Sequence, residues 1–126
     1  MADNDNETNK EIAVHFLQLA IEGKIKEAYL QYVDMNGKHH NPYFPAGFTA
    51  LQKAMIEDHA QSPDKQITFV NVLGEENRVA VLSHLRRGSD EMMVVHFFRF
   101  KDNKIVELWD CGQTLPADSP NKDGTF

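Results

Sequence analysis

The sequence HFFRFKDNKIVELWD, residues 96–110, consists of two aromatic and aliphatic runs on either side of the polar pair Asp102-Asn103. Asp and Asn favour tight turns, and apolar runs that flank such a turn are typical of a β-hairpin. The same alternation of β-rich runs and turn residues extends toward the middle of the chain. It predicts four strands, over residues 67–73, 78–87, 91–101 and 104–113. The second half of the chain is therefore predicted to be an antiparallel meander.

The first half has helical periodicity instead. Thr8-Asn9-Lys10-Glu11 matches a capping box, and apolar residues follow it at helical spacing. Three helices are predicted, over residues 8–22, 24–33 and 48–60. Residues 34–47 contain two glycines and two prolines, which predicts a loop or edge structure.

Residues 1–7 are predicted to be disordered, and residues 114–126 to form an irregular tail. Between them, three helices followed by a meander can bury their apolar faces if the sheet curves around the helices. The sequence thus predicts one α+β domain spanning residues 1–126.

Composition narrows the function classes. Apolar residues make up 41% of the chain and charged residues 25%, as in ordinary globular proteins. The net charge is −6 and the basic residues are scattered, which argues against a nucleic-acid partner. The single cysteine, Cys111, cannot form an intramolecular disulfide. Neither a signal-type N-terminus nor an apolar run of about 18 residues is present, so we expect a cytoplasmic protein without membrane association.

The hairpin also carries candidate chemistry. Because side chains alternate across a strand, His96 shares a face with Phe98, and Asp110 shares a face with Leu108. A tight turn at Asp102-Asn103 would place His96 across from Trp109 and diagonal to Asp110. A carboxylate and an imidazole on one apolar face are what proton transfer requires. The residues alone equally allow a structural interpretation, in which His96 is a core histidine with its hydrogen bonds made and Asp110 caps a turn.

Two further segments give these residues a family context. The hairpin with HFFRF and DNKIVELWD resembles the closing hairpin of SnoaL-like polyketide cyclases. Lys38-His39-His40-Asn41-Pro42 and the end of the chain, residues 121–126, resemble a loop and a C-terminus found in predicted SnoaL-like aldol-condensation enzymes. The resemblance covers the chain from the first helix to the last residue. It implies an NTF2-like fold, in which a cone-shaped, curved antiparallel or mixed sheet wraps around three helices.

The resemblance also implies a function. In the cyclases, the histidine and aspartate of this hairpin remove a proton next to a carbonyl and close a ring without a cofactor; they correspond to His96 and Asp110. We therefore expect a cofactor-independent aldol-type cyclase, lyase or isomerase acting on a small, largely apolar carbonyl compound. The chain departs from the family pattern at Leu108, where many members have His, and at Lys38, where many have Gln.

Other residues are assigned to the pocket more loosely. His40 resembles a family pocket residue, although it could equally pack on Tyr43, and His84 could face either the pocket or solvent. The predicted substrate-binding residues are His40, Phe98, Leu108, Phe16, Phe48 and His84. A metal site built from His39, His40 and His59 is not predicted, because adjacent histidines in an extended segment cannot easily aim both rings at one ion.

Two other classes of function stay open. The same fold supports non-catalytic modules that bind a small hydrophobic molecule, and it supports protein-interaction domains whose pocket is filled with side chains. The sheet face opposite the helices predicts a homodimer, because it would leave an apolar patch exposed. This patch comprises Val95, Phe97, Ile105 and Trp109.

Overall fold

The computed structural model describes residues 8–126, so the disorder predicted for residues 1–7 lies outside the described part. Its helices are α1 (Asn9–Ile21), α2 (Ile25–Tyr32) and α3 (Phe48–Gln61). The predicted capping box starts α1: the Thr8 hydroxyl accepts from the Glu11 amide at 3.1 Å, and the Glu11 carboxylate accepts from the Thr8 amide at 2.8 Å. Gly23, with φ of 87°, lies between α1 and α2. The three predicted helices are confirmed.

The sheet has five strands: β1 (Val33–His39), β2 (Gln66–Glu75), β3 (Arg78–Arg87), β4 (Asp90–Lys101) and β5 (Lys104–Thr114). Their order is β1-β5-β4-β3-β2, with β1 parallel to β5 and the other neighbours antiparallel. The predicted meander and the α+β class are confirmed. The segment predicted as loop or edge structure divides into an edge strand, β1, and a loop that leads to α3.

A β-bulge in the β4–β5 hairpin changes its predicted register. Phe100 pairs with Ile105 next to the turn, but a shift follows, and His96 pairs directly with Asp110. The expectation that His96 lies across from Trp109 was therefore wrong. The reason is one extra residue on β5, which displaces every later pair by one position.

The bulge also corrects the placement of Ile105. We expected its side chain on the outer face, but it is fully buried and belongs to the core. Gly37 of β1 faces the neighbouring residue Val106, and a Cβ atom on Gly37 would come within 2.3 Å of the Val106 carbonyl oxygen. A glycine is therefore required for β1 to approach β5 at this irregularity.

Aromatic rings join the helices to the inner face of the sheet. Phe16 of α1 packs edge to face on two rings. Its ring centroid lies 6.1 Å from that of Phe98 on β4 and 5.5 Å from that of Tyr29 on α2. Tyr29 in turn packs on Phe48 of α3 at 6.1 Å. These contacts fix the helices on one side of the curved sheet, which leaves its other face outward. Within residues 8–126, none of the helices is long and apolar enough to span a membrane.

Candidate active site

A cavity of about 780 Å³ opens between the helices and the sheet. Its wall is formed by α1, the first residue of α2, α3, the loop after β1, and the β2, β3, β4 and β5 strands. Most of its lining is apolar, including Phe16, Leu17, Leu51, Met55, Val94 and Leu108. Most of the polar lining groups lie in two clusters. We call Asn41, His96 and Asp110 the acid/base cluster, and Asp58, Lys65 and Arg87 the charged cluster.

The hairpin brings His96 and Asp110 together. They are direct partners across β4 and β5 and their side chains project from the inner face, where both line the cavity. Directly opposed residues of an antiparallel pair have Cβ atoms about 4.5–5.5 Å apart. Both side chains are half-buried. The two groups are thus adjacent and accessible from the cavity, without a hydrogen bond between them among the described residues.

The imidazole of His96 is held neutral by its surroundings. Burial lowers its pKa from the ordinary 6.5, against the opposing effect of the Asp110 carboxylate. The ring lies over Phe98, with centroids 6.1 Å apart. Its Nδ1 atom is buried and has no hydrogen-bond partner among the described residues. A buried polar atom without a partner costs free energy. Among the described residues, His59 Nδ1 and Ser83 Oγ are also buried without a partner, but only His96 of the three residues lines the cavity.

Asn41 completes the acid/base cluster, and the sequence did not predict this role. Its Nδ2 donates to Asp110 Oδ2 at 3.1 Å, while its Oδ1 accepts from the Tyr43 amide at 2.9 Å. The second bond fixes the orientation of the side-chain amide, because only an oxygen can accept from a backbone N–H. One carboxylate oxygen of Asp110 is therefore held in place, whereas Oδ1 accepts no hydrogen bond from the described residues.

His39 shapes the loop that carries Asn41. Its Nδ1 accepts from the Asn41 backbone amide at 3.1 Å, so the other ring nitrogen carries the proton and donates to the Pro45 carbonyl at 2.8 Å. His39 is 7% exposed and is paired with Leu108 in the parallel β1–β5 ladder. Continuing that register by two residues brings Asn41 beside Asp110.

Tyr29 lies behind the cavity wall. It is 1% exposed, and its hydroxyl donates to the Met55 sulfur at 3.0 Å. Burial, together with the nearby Asp110 carboxylate, raises the pKa of Tyr29 far above its usual value. The phenol is therefore protonated at any physiological pH and acts as a fixed dipole close to Asp110.

The predicted pocket residues fall into three groups. Phe16 and Leu108 line the cavity, as do His96 and Asp110. Phe98 and Phe48 do not: they are 0% and 1% exposed and lie in the core behind the wall. Their assignment as substrate contacts is corrected, because the packing of the helices buries both rings completely.

His40 and His84 form the third group and lie outside the cavity. On the outer face, His40 Nε2 lies 2.6 Å from Glu107 Oε2, and its ring stacks on Trp109 with centroids 5.0 Å apart. His84 contacts Glu91 at 2.6 Å and stacks on Phe126 at 4.5 Å. Both assignments to the pocket are corrected. The reason is strand alternation, which directs His84 away from the face that carries the inner residues of β3, and directs Glu107 and Trp109 away from Asp110.

Three histidines considered as metal ligands lie in different surroundings. His39 is in the core, His40 is on the outer face, and the His59 ring lies against Gly23. Among residues 8–126, no three His, Cys, Asp or Glu side chains are grouped so that they could hold a metal ion.

Comparison with known proteins identifies the family of this chain and proteins with a similar fold. Residues 13–108 match the SnoaL-like domain. A SnoaL-like polyketide cyclase from Agrobacterium tumefaciens str. C58 superposes with a TM-score of 0.70 at 18% identity, covering 84% of this chain and 91% of that one.

Two other solved structures have the same fold. An NTF2-like protein of unknown function from Burkholderia xenovorans LB400 gives a TM-score of 0.72 at 15% identity, covering 90% and 88% of the two chains. A candidate ketosteroid isomerase from Kribbella flavida DSM 17836 gives 0.70 at 16% identity, covering 91% and 84%. The fold is therefore NTF2-like, and the chain belongs to the SnoaL-like domain family.

Proposed function

We propose that this protein is a cofactor-independent acid/base enzyme that removes a proton next to a carbonyl group in a small, largely apolar compound. Its reaction would be an aldol-type cyclisation or a related lyase or isomerase step. Asp110 is the base in this proposal and His96 is its partner. The family and its polyketide cyclase and isomerase neighbours support the class of reaction.

The observation that carries the proposal is the direct cross-strand pairing of His96 and Asp110 on the wall of an open, mostly apolar cavity. Both residues line this cavity, and Oδ1 of Asp110 has no hydrogen-bond partner among the described residues, while Nδ1 of His96 is buried and also has no partner among them. Polar capacity left open beside a cavity is available to a substrate, whereas in a packed core it would only be a cost.

The groups would divide the chemistry between them. The Asp110 carboxylate accepts the proton from the carbon next to the carbonyl, and Asn41 holds its second oxygen in place. The C–H electron pair moves into an enolate, and a neutral His96 can donate its ring N–H to the oxygen on which charge develops. In an aldol step, the enolate carbon then bonds to a second carbonyl carbon, and Asp110 returns its proton to the new alkoxide. In an isomerisation, the proton returns to a different carbon.

Deuterium exchange tests the first step without knowledge of the natural substrate. Small ketones and β-dicarbonyl compounds are incubated with the protein in D₂O, and loss of the α-proton signal is followed by NMR. We expect exchange faster than in buffer for at least one compound. Asp110→Asn should slow it by about 10²–10⁴-fold, because the amide preserves shape but cannot act as a base.

A binding measurement on the same compounds separates this proposal from the alternative of a non-catalytic module. A compound that binds in the cavity, yet exchanges no faster than in buffer with wild-type protein, would favour the binding module. Equal exchange rates for wild type and Asp110→Asn would eliminate Asp110 as the base. The cavity itself, mostly apolar and open, supports a small hydrophobic ligand in either case.

We also propose that the protein is a homodimer that pairs through the outer face of the sheet. Phe97 is 36% exposed there and lies beside Trp109, with ring centroids 5.4 Å apart. Ile105 no longer belongs to this face, so the patch is smaller than the sequence predicted. Sedimentation at micromolar concentration should give twice the monomer mass of 14.4 kDa. A mass equal to the monomer would contradict the proposal.

A further inference from the structure

The charged cluster lines the same cavity as His96 and Asp110, but its residues come from other segments of the chain. The proposed chemistry does not use it. Asp58 comes from the last turn of α3, Lys65 immediately precedes β2, and Arg87 ends β3. Asp58 Oδ1 accepts from Arg87 Nη2 at 3.0 Å, and Asp58 Oδ2 accepts from Lys65 Nζ. One carboxylate therefore serves two cations.

The balance of charge in this cluster is positive. Lys65 and Arg87 carry two positive charges against the single negative charge of Asp58, and no other Lys or Arg among the described residues lines the cavity. Two further carboxylates are near the cations: Asp64 precedes Lys65 in the chain, and Asp90 pairs with Arg87 across β3 and β4. Both are exposed, and neither lines the cavity. Salt bridges to either are absent among the described residues. Apart from the acid/base cluster, the cavity is mostly apolar, and its charged cluster has a net positive charge.

The exposures of the two cations differ in a way that suits a ligand. The Lys65 side chain is only 12% exposed, whereas that of Arg87 is 45% exposed, and both border the cavity. A mostly buried ammonium that shares its counter-ion is incompletely neutralised, and burial of such a charge is costly. The planar guanidinium of Arg87 has five N–H donors, and Asp58 uses one of them.

We infer that the cavity selects carbonyl compounds that carry an anionic group, in the first place a carboxylate, bound between Lys65 and Arg87. The inference rests on the proposed function, since it assigns the substrate class of the same cavity. The apolar lining would hold the body of the compound, and its carbonyl would lie at His96 and Asp110. Binding at the charged cluster also separates the substrate's negative charge from the Asp110 carboxylate, which would otherwise repel it.

The test compares an acid with its neutral ester. The probes are 4-(naphthalen-2-yl)-4-oxobutanoate, an aryl ketone with a terminal carboxylate, and its methyl ester. Their dissociation constants are measured by calorimetry with the full chain, near neutral pH and at low salt. We expect the acid to bind about tenfold or more tightly than the ester, because a charge-assisted hydrogen bond contributes more than a neutral one.

Matched variants assign the preference to the cluster. Arg87→Gln is compared with Arg86→Gln, which alters the neighbouring residue on the same strand, exposed and not part of the cavity lining. Lys65→Met is compared with Lys53→Met on the exposed surface of α3. The cluster variants should remove most of the acid-over-ester preference, and the controls should retain it. Asp58→Asn should increase the preference, since it removes the competing carboxylate.

A purely structural role for the cluster predicts another result. If these residues only join α3 to β2 and β3, the variants would weaken acid and ester binding equally, in step with a lower melting temperature, and that outcome would overturn the inference. Equal affinity of the wild type for acid and ester would overturn it as well. Failure of the catalytic proposal is distinguishable: the acid preference would persist while deuterium exchange stayed at the buffer rate.

Discussion

The strand β5 carries a carboxylate on each face, and the two carboxylates have opposite surroundings. Glu107 on the outer face accepts hydrogen bonds from His40 at 2.6 Å and from Arg99 at 2.9 Å. Asp110 on the inner face accepts one, from Asn41 at 3.1 Å. Each carboxylate also has a histidine beside it: His40 is hydrogen-bonded to Glu107, whereas His96 has a buried nitrogen without a partner.

The contrast separates a structural pair from a candidate functional pair of the same residue types. The bond from His40, followed by the effects of Arg99, lowers the pKa of Glu107, so this group is a charged member of a closed surface network. The inner pair is adjacent but not bonded, and it faces a cavity. Natural proteins satisfy their buried polar groups with few exceptions, and the exceptions concentrate at functional sites. The presence of a histidine beside a carboxylate is therefore weaker evidence of a functional site than the absence of hydrogen-bond partners for those groups.

The largest expected difference between the faces concerns stability. Phe98 is fully buried on the inner face, and its neighbour Phe97 is 36% exposed on the outer face. Phe98→Ala should lower the free energy of unfolding by about 3–5 kcal/mol, because it removes a core ring and leaves a cavity. Phe97→Ala should cost about 1 kcal/mol. Urea denaturation at a protein concentration low enough to keep the chain monomeric measures both, and similar losses would show that the two faces are equally packed.

The second difference concerns turnover. With a compound that undergoes enzyme-dependent proton exchange, His96→Phe should reduce the rate by about 10²–10³-fold, as expected for loss of one donor to the developing oxyanion. His96→Gln should recover part of the loss, because its amide can donate. His40→Phe, the control on the outer face, should leave the rate nearly unchanged. If His40→Phe and His96→Phe slowed exchange equally, the contrast between the faces would have no catalytic meaning.

The third difference concerns pH. The folded-state pKa of His96 is below 6.5, so below that pH the unfolded chain binds a proton that the folded chain does not yet bind. Its contribution to stability is present above pH 6.5 and is lost as pH falls toward the folded-state pKa, by at most about 1.4 kcal/mol per pH unit. His96→Gln should therefore lose less stability than wild type on acidification. Melting temperatures between pH 7.5 and 5 check this, and parallel profiles would contradict it.

The smallest effect is expected from the outer network. Glu107→Gln should cost about 1 kcal/mol or less at neutral pH, because solvent-accessible ion pairs contribute little. The lowered pKa of Glu107 means that its contribution is present above pH 4.5 and is lost as pH falls through the folded-state value. The difference between wild type and variant should also shrink at high salt. A cost as large as that of Phe98→Ala would show that the network is part of the core.

The sequence was sufficient for the three helices, for strands β2 to β5, and for the inner positions of His96 and Asp110. Local signals such as the Thr8 capping box, Gly23 and the Asp102-Asn103 turn act within a few residues, so they place helices and hairpins without knowledge of the rest of the chain. Alternation then put His96 and Asp110 on the face that the helices cover. The family resemblance added the fold, and the match over residues 13–108 bears it out.

The tertiary structure alone decided which residues meet. Pairing between β1 and β5 is parallel and joins segments about 70 residues apart in the chain, so no local pattern could place Asn41 beside Asp110 or His40 beside Glu107. The bulge that pairs His96 with Asp110 and buries Ile105 depends on how β5 fits against both of its neighbours. Alternation fixes the face of a side chain only where the strands pair regularly, so it placed His96 and Asp110 correctly but not Ile105 at the bulge. The partners of a side chain follow from long-range packing, which only the folded chain contains.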